Sequence, residues 1–151
     1  MSGITTTDHE WLMHAIELAK ACPPSATAFS VGAIITDSAG HEVARGYSRE
    51  SDPHIHAEES ALAKLKPGAH TDMTIYSSLE PCSERRSRPR TCTQLILDAG
   101  IRRVVIAWRE PSLFVDDCQG VELLTASGVE VLEVPELADA AAAVGMPADR
   151  R

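Results

Sequence analysis

Aromatic residues are scarce: two each of Trp, Tyr and Phe in 151 residues. A groove that stacks single-stranded nucleic acid draws on such rings and on a basic surface. Here the formal net charge is −8, which argues against a nucleic-acid polymer as partner. No apolar run approaches the ~20 residues that span a bilayer. Met1 to Glu10 also lacks the apolar core of a secretory signal. Both absences predict a chain that stays in the cytoplasm, away from membranes. Lysine and arginine are missing altogether from Glu110 to Asp149. No two of the four cysteines form a C-x-x-C pair. In a cytoplasmic chain they point to metal binding or free thiols rather than disulfides. Cys22 and Cys118, without a histidine in matching context, read as small apolar residues.

What is present fits one soluble domain over 1–151, with 44% hydrophobic and 24% charged residues. Thr7-Asp8-His9-Glu10 reads as a capping box opening a helix that ends near Cys22, before Pro23-Pro24. Val31 to Thr36 and Glu42 to Tyr47, around the turn residues Asp37 to Gly40, predict a hairpin. A helix follows from His56 to Pro67-Gly68, then a strand over Met73 to Ser77. Cys92 opens a further helix closed by Gly100. A strand over Val104 to Ala107, a helix over Val121 to Ser127 and a strand over Val129 to Val134 make a parallel crossover. Pro135 starts a final Ala-rich helix. The layout α-β-β-α-β-α-β-α-β-α predicts a three-layer α/β domain with a five-stranded mixed sheet, its fourth and fifth strands parallel.

His56-Ala57-Glu58, Pro81-Cys82 and Cys92 carry the chemistry. One imidazole and two thiolates give three ligands for one zinc ion. That is one short of a structural tetrahedron and leaves a position for water. Glu58 is placed to carry protons beside that water. His54 is the rival ligand, but only His56 has a glutamate at the right offset. Cys82 follows a strand's carboxyl end, where open α/β sheets place ligand crevices. Cys92 sits at a helix N-terminus, which favours thiolate. The basic run Arg85 to Arg90 reads either as a solvated loop or as an anion contact for substrate. Glu80 either contacts substrate or caps backbone N–H groups. Phe29 is either a core ring or a stacking surface.

The pattern matches the zinc deaminase signature H-x-E…P-C-x-x-C, with the glutamate as general acid/base. It differs in that nine residues, not two, separate the cysteines. Together with the layout, Val31-Gly32-Ala33, Leu79-Glu80-Pro81-Cys82-Ser83, Arg88-Pro89 and the run Val104 to Val131, it resembles the cytidine-deaminase-like superfamily. The likeness is greatest to the pyrimidine deaminase domain of riboflavin-biosynthesis deaminases, whose cysteines are separated by a similar distance. Two departures stand out. Ala28-Phe29 replaces an Asn-Pro pair, so that Phe29 to Ala33 is instead similar to nucleoside deaminases. Phe114-Val115-Asp116-Asp117 stands where a basic residue is expected, leaving Arg88 as the candidate to meet a phosphate.

The resemblance implies a zinc-dependent hydrolytic deaminase that turns an exocyclic amine of a small pyrimidine or related heterocycle into a carbonyl, releasing ammonia. The heterocycle is a base, nucleoside or nucleotide. The implied pocket takes in Phe29, Arg49, Glu50, Glu80, Arg88 and Trp108. The implied assembly is a homodimer or homotetramer. The alternatives are a non-catalytic, zinc-stabilised binding protein and an RNA- or ssDNA-editing deaminase. Glu58 argues against the first and the acidic balance against the second.

Overall fold

The first helix takes its start from a residue anchored far away in sequence. The spacing predicts Thr7 as its cap. In the computed structural model, which describes residues 3–114 and 118–148, the cap is Thr5. Thr5 Oγ1 accepts the Asp8 N–H and Asp8 Oδ2 accepts the Thr5 N–H, both at 3.0 Å. Asp8 also accepts Tyr76 Oη–H at 2.7 Å and the Arg103 guanidinium at 2.6 and 2.8 Å. These long-range bonds fix Asp8 in the first turn, so the reciprocal box forms with Thr5 and not between Thr7 and Glu10. α1 (Thr6–Leu18) then tightens into a 3₁₀ turn, Ala19–Ala21.

Strands β1 (Gly32–Thr36) and β2 (Glu42–Tyr47) form the expected antiparallel hairpin. β3 (Thr74–Ser77) pairs antiparallel with β1, while β4 (Arg103–Ile106) and β5 (Glu130–Glu133) continue parallel to it. The sheet order is β2-β1-β3-β4-β5. Between them run α2 (Ala57–Ala63), α3 (Cys92–Ala99) and α4 (Gly120–Ala126). Alternate strand residues serve two cores, as a pleated sheet requires. Ala33, Ile35, Ile75, Val104 and Ile106 pack with α2, α3 and α4. Ile34, Tyr76 and Val105 pack with α1 and α5 (Ala138–Gly145). The result is the three-layer α/β fold with a mixed sheet.

Two helices differ from the sequence reading. α2 stops at Ala63 and not near Pro67: the Lys64 and Leu65 N–H groups bond back three residues, to Ala61 O and Leu62 O, which tightens and closes the last turn, while Lys64 Nζ reaches Arg45 O (2.6 Å) and Glu50 (2.9 Å). The final helix is preceded by a separate 3₁₀ turn, Pro135–Leu137. The stretch Val115 to Asp117 lies outside the described residues. Among the described residues no helix is long and apolar enough to cross a membrane.

α2 is seated by an absent side chain. A Cβ on Gly46 of β2 would lie 2.5 Å from Ala61 N and 2.6 Å from Ala57 O. Only glycine permits this approach. It brings the first turn of α2 to the edge where β3 and β4 end and β1 begins, and the site forms there.

Candidate active site

His56 caps α2, Cys82 lies five residues beyond β3, and Cys92 is the first residue of α3. The fold brings these three ends together. His56 Nδ1 lies 3.5 Å from Cys82 Sγ and 3.4 Å from Cys92 Sγ. All three donor atoms are within 4.8 Å of one another. Around zinc with bonds of ~2.0 Å to nitrogen and ~2.3 Å to sulfur, a tetrahedral N–S edge is ~3.5 Å. The donor set therefore fits zinc in chemistry and in spacing. His54, exposed at the mouth of the cavity, is not part of the cluster.

Local bonds hold the ligands in place. Thr91 caps α3 by accepting the Gln94 N–H. Thr93 donates through N and Oγ1 to Cys82 O at 3.2 and 2.8 Å. The Cys92 N–H points at Cys82 Sγ, 3.2 Å away. The two thiols share one hydrogen-bonded system, so the pair holds a proton between them before a metal enters. Hydrogen bonding from Cys92, and then from His56, pulls the Cys82 thiol down against burial. Its bond to Cys82, followed by burial, holds Cys92 up. A zinc ion held by His56, Cys82 and Cys92 would displace the proton left on the pair.

Glu58 lies in the first turn of α2 and is 4% exposed. Burial raises its carboxyl above the usual carboxylate range. Ser77 Oγ sits 3.1 Å from Glu58 Oε2 and 2.8 Å from Leu79 O, which fixes the carboxylate's direction. Glu58, His56 and Cys82 line a cavity of about 440 Å³. Its size is that of a small-molecule pocket.

Glu110 lines the same cavity and was missed in the sequence. Its carboxyl is raised to about 7, by burial first and then by the negative charges of Cys82, Glu80 and Glu58. The signal was there: Glu110 follows β4 by four residues, at the same sheet edge as Cys82.

The six suggested substrate contacts divide. Phe29, Arg49 and Glu80 line the cavity; Glu50, Arg88 and Trp108 do not. Glu80 accepts the Glu110 and Val121 N–H groups at 3.1 and 2.9 Å, the capping role. Arg49, at a left-handed φ of 62°, turns its guanidinium onto Pro23 O, Phe29 O and Ser30 Oγ. It thereby clamps the loop that forms the cavity wall. Glu50 binds Ser60 and Lys64. Arg88 pairs with Asp52 and Glu59. Trp108 meets Phe29 edge to face, ring centroids 5.6 Å apart. Cys22 and Cys118 are free thiols whose Sγ atoms contact Val31 O and Pro81 O.

An α/β sheet edge with one histidine, two cysteines and a buried glutamate defines a metal-dependent deaminase class of site. Residues 5–108 match the family model described as the cytidine and deoxycytidylate deaminase zinc-binding region, and the chain belongs to that family. Diaminohydroxyphosphoribosylamino-pyrimidine deaminase of Schizosaccharomyces pombe is 41% identical over 128 residues, 82% of this chain and 31% of that protein. Riboflavin biosynthesis protein RibD of Aquifex aeolicus is 35% identical over 132 residues, 85% and 35% of the two chains. This chain thus spans about a third of the length of these relatives. Among solved structures, Aspergillus oryzae Rib2 deaminase in complex with DARIPP superposes with a TM-score of 0.79 at 25% identity, covering 93% of this chain and 90% of that one. Acinetobacter baumannii RibD gives 0.79 at 29% identity, covering 91% and 38%.

Proposed function

We propose that this chain is a zinc-dependent hydrolytic deaminase of a small aminopyrimidine. The substrate is of the phosphoribosylaminopyrimidine type named for the Schizosaccharomyces pombe relative, placing the reaction in riboflavin biosynthesis. The observation that carries this reading is the buried Glu58 carboxyl, which faces the same cavity as the zinc ligands His56 and Cys82. A site that used zinc for stability alone has no need of a buried general base.

In this reading His56, Cys82 and Cys92 hold the ion, which supplies the Lewis acidity that makes water nucleophilic near neutral pH. Glu58 takes a proton from water at one carboxylate oxygen. It gives that proton to the ring nitrogen, takes a second from the hydroxyl then on the ring carbon, and passes it to the departing amine, which leaves as ammonia while the carboxylate is restored. Ser77 keeps Glu58 Oε2 oriented during both transfers. Phe29 and the loop clamped by Arg49 form the wall against which the ring is held. Glu110 offers a second carboxyl to the polar edge of the heterocycle. Glu58, at 4% exposure, is itself shielded from bulk water at the floor of the cavity.

The same proposal includes a cytoplasmic homodimer or homotetramer. Met13, Val43 and Leu123 leave apolar surface exposed for such contacts, and sedimentation of the purified chain reads the assembly. The test of function is ammonia release from a panel of cytosine, cytidine, cytidine phosphates, the riboflavin aminopyrimidine, guanine and aminotriazines. Turnover of the riboflavin aminopyrimidine above the rest is expected. Turnover of none, by zinc-loaded protein, overturns the reading.

A further inference from the structure

Trp108 touches the cavity wall from outside. Phe29 is 9% exposed and lines the cavity. Trp108 meets its ring edge to face, with planes at 84° and centroids 5.6 Å apart. Phe114 meets the same ring at 63° and 5.2 Å. Among the described residues, the lining includes Phe29 but neither of these two rings, so both stand behind it. Edge-to-face pairs at this spacing are favourable beyond the area they bury. Braced twice, the Phe29 ring is held in one orientation.

Trp108 is backed in turn by the last residue of α5. A Cβ on Gly145 would lie 2.9 Å from Trp108 Cζ3 and 3.1 Å from Ser30 O. The indole thus packs on bare backbone, an approach that glycine permits. The Ser30 N–H donates to Gly145 O at 2.9 Å, and the Ala148 N–H to Ser25 O at 2.8 Å. These bonds fasten residues 25–30, which carry Phe29, to the end of α5. The Glu80 N–H donates to Trp108 O at 2.8 Å, which ties the Trp108 backbone to the cavity wall as well. The metal ligands come from other elements: α2, α3 and the exit of β3. A planar heterocycle gains most from a ring that is already fixed, because little side-chain freedom is then lost on binding.

We propose that Trp108 is a positioning residue for substrate: seated on Gly145, it holds the Phe29 ring in the orientation that receives the heterocycle. The end of α5 therefore belongs to the substrate site, although it lies outside the cavity. This role rests on the aminopyrimidine reading of the cavity and not on the zinc.

The experiment measures binding of the riboflavin aminopyrimidine by calorimetry in a Glu58→Gln background, which separates binding from turnover. It measures kcat and KM in the active chain. Trp108→Leu is expected to weaken binding and raise KM roughly 3–10-fold, with kcat and zinc content unchanged. Trp108→Phe, which keeps an aromatic edge, is expected to stay near wild type. In a Phe29→Leu background, Trp108→Leu is expected to add less than about 2-fold, because its effect passes through Phe29. Equal effects with and without Phe29 overturn the proposal. So do unchanged binding, lost zinc, or a Trp108→Phe no better than Trp108→Leu. Trp108 packs against both cores; if Trp108→Leu does not fold, Gly145→Ala, whose Cβ displaces the indole, decides by the same cycle. A chain that binds the aminopyrimidine but releases no ammonia defeats the proposed reaction alone. One that binds none of it defeats both readings, and turnover with additive effects defeats only the role of Trp108.

Discussion

Glu58 and Glu110 share a cavity, and their environments divide the work between them. Glu58 is deeply buried and oriented by Ser77. In the proposed reaction it moves protons and holds no metal. Glu58→Gln should therefore keep its zinc by metal analysis while turnover falls by roughly 10²–10⁴-fold. Near-wild-type turnover would remove Glu58 from the mechanism. Glu110 makes a prediction in pH. Its folded value, about 7, lies above the ordinary 4.5, because burial and neighbouring negative charge oppose ionisation. The folded state therefore binds the proton more tightly than the unfolded chain. The associated stability is complete below about 4.5 and is lost as pH rises through about 7. Thermal melts of zinc-free wild type should fall across that interval relative to Glu110→Gln. Parallel curves for the two proteins would refute the assignment. At this scale the metal ligands were legible because their residue types and order are distinctive. The bonds that Arg49 and Arg88 make within the fold were not, since nothing local says that a guanidinium will turn to backbone carbonyls or to Asp52 and Glu59.

α2 is the element that joins fold to chemistry. Its first turn carries Glu58 and its cap is His56, so any change in its seat moves both. The seat is Gly46, where an added Cβ meets the helix backbone at 2.5 Å. Backbone cannot swing aside as a flexible side chain can. Gly46→Ala should cost about 1–3 kcal/mol by overpacking, read by urea denaturation, and should lower zinc occupancy along with stability. Full zinc occupancy at wild-type stability would show that α2 tolerates the shift. The hairpin and the parallel strands were readable because β-branched runs alternate between punctuating turns. The end of α2 was not, because it closes on three-residue backbone bonds at Lys64 and Leu65, before the Pro67-Gly68 breaker that the sequence shows.

Across the whole molecule, Asp8 holds the layers in register from the face opposite the site. It links α1 to Tyr76 of β3 and Arg103 of β4, residues 68 and 95 positions away. The same contact explains why the capping box was misplaced by two residues: a local pattern cannot show a partner that far along the chain. Asp8 is 3% exposed, so Asp8→Asn leaves Arg103 with Glu130 as its one charged partner and turns one of the two accepting oxygens into an amide donor that faces the donors it used to satisfy. Asp8→Asn should cost roughly 3 kcal/mol near neutral pH. Burial would raise the Asp8 carboxyl, but bonds from Arg103, Tyr76 and Thr5 outweigh it and hold it well below 3.8. A lowered carboxyl contributes its stability above the unfolded value and loses it as pH falls through the folded one. The gap in unfolding free energy between wild type and Asp8→Asn should therefore be full above about 3.8 and close only in stronger acid. A gap that stays constant through that descent would mean that the ion pair with Arg103 is not what holds α1 against the sheet.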